Sequence, residues 1–358
     1  MTRPGCCPEW IPTHPREITA PWLNRLLQNN GVLRCGGVVS VAITPGTKWN
    51  IAETARVTVE YRSDTNVCVP RALFVKITNG QDPLAEVFPG EVVFYRETSE
   101  QGLPLAKCFG ALQDRITGLS CLLLEDLSAT HAELPWESLP SLSMREGAVV
   151  SLARIHAHWL QRDVCRIGRF ERSLVRNERQ LASFFQALVP EFLENLGDAL
   201  PTHRKDVVRR VIRTLPDLKI HRVKSGKPLT RSHGDPHFWN ILYPKDPSRH
   251  DCIFVDWEDW RQDIGGADLA SMLLLHLPPD CRDKNDEKLL RLYLDVLRSE
   301  TPLEFRWDWL FNDFRLGHLQ NLVVPLFQYQ NRHSSERWRT LLKRWFVRYD
   351  ELRCGELL

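Results

Sequence analysis

No stretch of these 358 residues approaches the roughly 20 consecutive apolar residues that a bilayer-spanning helix needs. The longest apolar run, Leu269 to Leu277, is interrupted by Ser271 and His276. The opening residues, Met1-Thr2-Arg3-Pro4-Gly5-Cys6-Cys7-Pro8, have no apolar core and so do not read as a secretory signal. Charge of one sign is also scarce: a net charge of +2 lacks the basic excess that nucleic-acid surfaces carry. The locally basic segment Arg204 to Arg213 places its Val and Ile residues at helical spacing, so it reads as a solvated helix face. No Cys-x-x-Cys pair is present to suggest zinc or dithiol chemistry. The ten cysteines are irregularly spaced, and Cys121 and Cys252 sit inside apolar runs, where a thiol packs as a small hydrophobe. That pattern suits a reducing, cytoplasmic setting. Internal repeats and low-complexity tracts are absent.

What remains is a chain of ordinary soluble composition, long enough for two domains. Its first third reads as strands. Val38 to Thr44 is apolar and β-branched, Ala55 to Tyr61 alternates with period two, and Ala72 to Ile77 is a third apolar strand. A helix is predicted from about Pro89 through Glu97, then strands near 105–110 and 120–124. From Ser141 the pattern turns helical, opened by Ser143-Met144-Arg145-Glu146 as a capping box. Further helices are predicted over 178–200, 204–214, 268–276, 285–298, 307–329 and 335–352. The expected class is therefore α+β, with a small β-rich domain over residues 1–125 and a larger, mainly helical domain over 126–358.

Between the helices lies the most informative segment, Ser232-His233-Gly234-Asp235-Pro236-His237-Phe238-Trp239-Asn240, followed by the apolar run ending at Asp256. The order His-x-Asp-x-x-x-x-Asn, then a strand-terminal Asp, is the arrangement of phosphoryl-transfer sites. In that scheme Asp235 accepts the proton of a hydroxyl, and Pro236 holds it in extended backbone. Asn240 and Asp256 offer hard oxygen ligands for Mg²⁺. Lys76, a charge near the end of an apolar strand, would bind ATP phosphates and pair with a glutamate on the next helix. Glu91 is the first choice for that partner and Glu97 the second. Leu122-Leu123-Leu124-Glu125-Asp126-Leu127 would be a hinge whose backbone meets the adenine, at Glu125, Asp126 and Leu127. The phosphate loop is the poorest match: Thr44-Pro45-Gly46-Thr47-Lys48-Trp49-Asn50 carries one glycine rather than Gly-x-Gly-x-x-Gly. Asp268 is placed to cap a helix and tie down the loop, and His156, His233 and His237 read as packing residues. Two other chemistries use the same residues. His233, Asp235 and His237 alternate and could hold Zn²⁺ in a hydrolase, and a nucleotide-binding pseudokinase would retain ATP binding alone.

At these residues the chain resembles the aminoglycoside phosphotransferase and choline kinase superfamily, and within it the ecdysteroid kinase-like branch. The resemblance spans about residues 35 to 280. It rests on His233-Gly234-Asp235-x-His237-x-Trp239-Asn240-x-Leu242, on Asp256-Trp257 with Gly265 and Asp268-Leu269-Ala270, and upstream on Phe74-Val75-Lys76 and Glu91. It implies a bilobal protein-kinase-like fold, ATP with Mg²⁺, and phosphorylation of a hydroxyl on a small molecule, with no nucleic-acid or membrane partner. Residues 264–358 balance acid against base, so the acidic pocket of aminoglycoside kinases is not expected. Trp257, Trp260, Trp307, Trp309 and Phe311 hint at an apolar or ring-bearing acceptor.

Overall fold

Period-two alternation between residues 52 and 61 buries Ala55, Val57 and Val59 on one face and leaves Arg56, Thr58 and Glu60 in solvent. The computed structural model describes residues 10–48, 52–66, 68–80, 90–98, 102–135, 138–163, 167–246, 248–249, 251–278 and 285–358. Its contacts divide the chain into two compact units. The first comprises Met1–Ala132 with Pro244–Arg249 and Val255–Asp259, and the second Glu133–Tyr243 with His250–Phe254 and Trp260–Leu358.

The first unit is an antiparallel sheet of β1 (Val38–Lys48), β2 (Ala52–Tyr61), β3 (Ala72–Thr78), β4 (Cys108–Gln113) and β5 (Ser120–Glu125), in the order β1-β2-β3-β5-β4. Helix α1 (Ala20–Asn29) packs its Trp22, Leu23, Leu26 and Leu27 with Leu73, Val75 and Ile77 of β3 in one apolar core. Sequence patterning missed this helix, although its start is marked: the Thr19 hydroxyl accepts from Trp22 N–H at 3.4 Å, and a proline follows in the first turn. Because side chains alternate across a strand, Lys76 points away from that core. Cys121 to Leu124 are all buried, as an unbroken apolar run in a central strand requires. Helix α2 (Glu91–Glu97) contacts β4 and β5 and buries Glu91, Val92, Phe94 and Tyr95. It begins after Gly90, whose φ of 80° favours glycine. Pro89 lies outside the described residues. A short strand, β6 (His131–Glu133), follows.

The second unit contains α3 (Leu142–Asp163), α4 (Ile167–Leu196), α5 (Thr202–Lys224), β7 (Thr230–Ser232), all but the last residue of β8 (Ile241–Pro244), β9 (Ile253–Phe254), β10 (Arg261–Asp263), α6 (Gly265–Ala270), α7 (Asp286–Glu300), α8 (Trp307–Gln320), α9 (Val323–Gln330) and α10 (Ser335–Glu351). The α+β class is as expected, with strands early and helices late. Several boundaries differ for physical reasons. The cap of α3 is Ser141, which accepts from Met144 N–H at 3.2 Å, rather than Ser143. Helix α5 continues through Pro216 because Lys219, Arg222 and Val223 are buried beyond it. The single helix expected over 307–329 is two, since Pro325 has no N–H to continue the ladder from Asn321.

Two short antiparallel pairs frame the loop 232–240. In the first, β7 pairs with β10, with Ser232 opposite Arg261. In the second, β8 pairs with β9, with Ile241 opposite Phe254. Burial pushes the Cys252 thiol just before β9 up to about 12, in keeping with a packing role. Helices α6 and α8 cross backbone to backbone. A Cβ on Gly266 would lie 2.5 Å from the Asp313 carbonyl carbon, and one on Gly317 2.5 Å from the Ala267 Cα. Gly317→Ala should therefore destabilise the protein by about 1–3 kcal/mol through overpacking, read as a lower urea midpoint at unchanged slope.

Candidate active site

Lys76 gathers the chemistry of the first unit. Its register partners are Thr54 on β2 and Leu122 on β5, so its amine emerges from the middle of the sheet. The side chain is 12% exposed, and its Nζ lies 2.9 Å from Glu91 Oε2, 2.6 Å from Asp256 Oδ1 and 2.6 Å from Glu258 Oε1. Burial pulls the ammonium towards neutrality, but the carboxylates of Glu91, Asp256 and Glu258 outweigh it and hold the Lys76 pKa well above its ordinary value. Burial and the neighbouring carboxylates push Glu91 up, against the pull of Lys76. Of the two glutamates considered on α2, Glu91 is the one that meets Lys76.

The fixed member of the cluster is Glu91. Its second oxygen accepts from Trp257 N–H at 3.3 Å, and the Trp257 ring stacks on Phe94 at 3.9 Å and 6°. Glu91 and Phe94 are three residues apart and so share one helix face. Between Val255 and Trp257, Asp256 takes a left-handed backbone with φ of 66°. That geometry costs an ordinary residue on the order of 1 kcal/mol, and aspartate tolerates it better than most. Strain at the foot of an ion cluster is characteristic of functional loops.

Three carboxylates against one ammonium leave surplus negative charge. The oxygens of Glu91, Asp256 and Glu258 lie within 4.8 Å of one another. These are hard donors of the kind Mg²⁺ or Ca²⁺ takes, with no thiol or imidazole among them. Glu258 escaped the sequence reading. Its signal was a second carboxylate two residues after Asp256.

The second unit holds the loop 232–240, and its organiser is Asp268 in the first turn of α6. Asp268 is 1% exposed and accepts from Ser232 Oγ at 2.5 Å, His233 N–H at 2.6 Å and Gly234 N–H at 3.0 Å. Its Oδ2 also lies 3.1 Å from Nε2 of His156, whose Nδ1 is 2.6 Å from the Tyr293 hydroxyl. Burial alone would raise the Asp268 pKa, but the bonds from His156 and Ser232 and the nearby imidazoles bring it down to about 2. It ties down the loop as expected, but its side chain makes no helix cap. Gly234 has φ of 91°, a conformation costly for any side chain.

Beyond Gly234, Asp235 is 44% exposed at its side chain, with Oδ2 3.5 Å from His237 Nε2. Asn240 donates through Nδ2 to the Asp235 carbonyl at 3.1 Å, which orients its amide and leaves the side-chain oxygen as an acceptor. Phe238, fully buried, anchors the turn. His233 is buried against Phe254, whereas His237 stands beside Asp235 rather than purely in packing. Among the described residues, the group of side chains able to surround a metal is Glu91, Asp256 and Glu258, not His233, Asp235 and His237.

Glu125 ends β5 with its N–H donated to the Lys107 carbonyl at 2.8 Å. Asp126 accepts from Ser128 N–H at 2.9 Å, and the Leu127 carbonyl accepts from Thr130 N–H. Thr44 to Lys48 belong to the exposed end of β1, while Trp49 and Asn50 lie outside the described residues. Trp257 is core, Trp260 is buried with Arg231 over its ring, and Trp307 stacks on Phe311. A groove of about 550 Å³ between α4 and α5, lined by Val189, Leu193, Arg209 and Ile212 among others, contains none of the predicted site residues.

Residues 60–303, roughly two-thirds of the chain, match the phosphotransferase enzyme family. The chain belongs to that family. Among solved structures, this family member is similar to the ethanolamine kinase of Plasmodium vivax, at 12% identity and a TM-score of 0.53, covering 89% of this chain and 83% of that one. It is also similar to the choline kinase LicA of Streptococcus pneumoniae, at 13% identity and a TM-score of 0.47, covering 87% and 94%. At 12% identity the likeness to the ethanolamine kinase shows the fold alone. No curated protein matches the sequence.

Because Asp268 is held below the ordinary carboxylate value of 3.8, its ionised form adds stability above that pH, and this is lost as the pH falls through about 2. The contribution is on the order of 2 kcal/mol. Asp268→Asn should lower stability at pH 7 by about 2–4 kcal/mol and flatten the acid limb of the urea-unfolding profile between pH 5 and pH 2.

Proposed function

We propose that this phosphotransferase moves the γ-phosphoryl group of ATP, bound with Mg²⁺, to a hydroxyl of a small molecule in the cytoplasm. The observation that carries the reading is the ammonium of Lys76, presented from a strand and paired with Glu91 at the start of the next helix. Such a pair is how kinases grip nucleotide phosphates. In this reading Glu125, Asp126 and Leu127 border the adenine, and Lys76, positioned by Glu91, takes the phosphates. Asn240 and Asp256 supply the oxygen ligands for the cation. A Mg²⁺ held by these oxygens would offset the charge of the phosphates. Asp235 orients the acceptor hydroxyl and accepts its proton, with His237 beside it to fix the carboxylate. The spacing of the loop motif supports a further assignment to the ecdysteroid kinase-like branch. The chain's charge is nearly balanced, and among the described residues no helix is long and apolar enough to cross a membrane.

Two substitutions separate binding from chemistry. Asp235→Ala should reduce phosphoryl transfer roughly 10²–10⁴-fold while nucleotide affinity by titration calorimetry changes by less than about threefold. Asp256→Ala should remove the Mg²⁺-dependent part of nucleotide binding. Near-normal transfer by Asp235→Ala would refute its role, and nucleotide binding without transfer to any hydroxyl compound would favour the pseudokinase.

A further inference from the structure

An ammonium group has three N–H bonds to donate, and carboxylates surround Lys76 closely enough to take all three. A phosphate oxygen can reach it only if one carboxylate withdraws. Glu91 is not that one, being 7% exposed and held from its other side by Trp257 N–H. Asp256 has the cation to serve in the function proposed above. Glu258 is half exposed, and among the described residues Lys76 is its one ion-pair partner. It reaches Lys76 with a long side chain that can swing into solvent at little cost.

We propose that Glu258 makes nucleotide binding conditional on a divalent cation. Without the cation its carboxylate occupies Lys76 in place of a phosphate. Once displaced, it remains close to Asp256, where their oxygens lie within 4.8 Å in the present arrangement, and repels phosphate oxygens until a cation offsets the charge. Glu258 thus selects the metal complex of the nucleotide over the metal-free form. This rests on the ATP- and Mg²⁺-dependent reading given above. The solvent exposure of Glu258 screens the repulsion, which sets its expected size near one order of magnitude rather than several.

The test is titration calorimetry of ADP into the full chain, in EDTA and in Mg²⁺, for the wild type and Glu258→Gln. Glutamine keeps the length and an acceptor oxygen for Lys76 and removes only the charge. The preference for Mg-ADP over metal-free ADP should fall about tenfold in the variant, through tighter binding in EDTA. Misfolding cannot produce such a gain. An unchanged preference overturns the role of Glu258 and leaves the proposed function standing. A preference that falls through loss of Mg-ADP affinity makes Glu258 a cation ligand and also overturns it. Failure of the wild type to bind ADP in either buffer overturns both this role and the proposed function.

Discussion

One ammonium group held among three carboxylates is the constraint on which the first unit turns. A lone charge at the depth of Lys76 or Glu91 would cost several kcal/mol in lost hydration, so neither could sit there without the other. The fold meets this demand with a strand, a helix start and a short left-handed turn, each delivering one end of the network. The arrangement is overfilled with negative charge, and that surplus is the source of its chemistry. In the proposed function a cation balances that surplus together with the charge of the nucleotide phosphates.

The second unit is organised by a different economy of hydrogen bonds. Asp268 accepts from two consecutive backbone N–H groups and a hydroxyl, and it sits against an imidazole that is itself bonded to Tyr293. Rigid support behind the loop leaves Asp235 and Asn240 with defined backbone positions while the Asp235 carboxylate stays in contact with solvent. Preorganised side chains on a fixed loop are what phosphoryl transfer requires, because positioning supplies most of its catalysis.

Much of this was legible in the sequence because local chemistry marks it. A lysine at the end of an apolar strand needs a partner, and a glutamate at the start of the following helix provides one. The spacing from His233 to Asn240 names its own loop. What stayed hidden depends on distance along the chain. The partners of Asp268 lie between 34 and 112 residues away, and no local pattern links them. Helix α1 carried its Thr19 cap and first-turn proline in plain view but is brief, and its apolar residues are equally suited to a strand. The break between α8 and α9 was signalled by Pro325, yet the apolar periodicity on either side masked it. Glu258 was missed because the phosphotransferase scheme assigns no role two residues beyond the metal-binding aspartate.

The proposed transfer is tested most directly by incubating the protein with Mg-ATP and fractionated metabolite extracts and following the mass spectrum over time. It predicts that at least one hydroxyl-bearing compound gains the mass of a single phosphoryl group, in step with the appearance of ADP and only when the protein is present. If ATP is bound but no compound gains that mass across a broad pool, transfer to a small-molecule hydroxyl is contradicted.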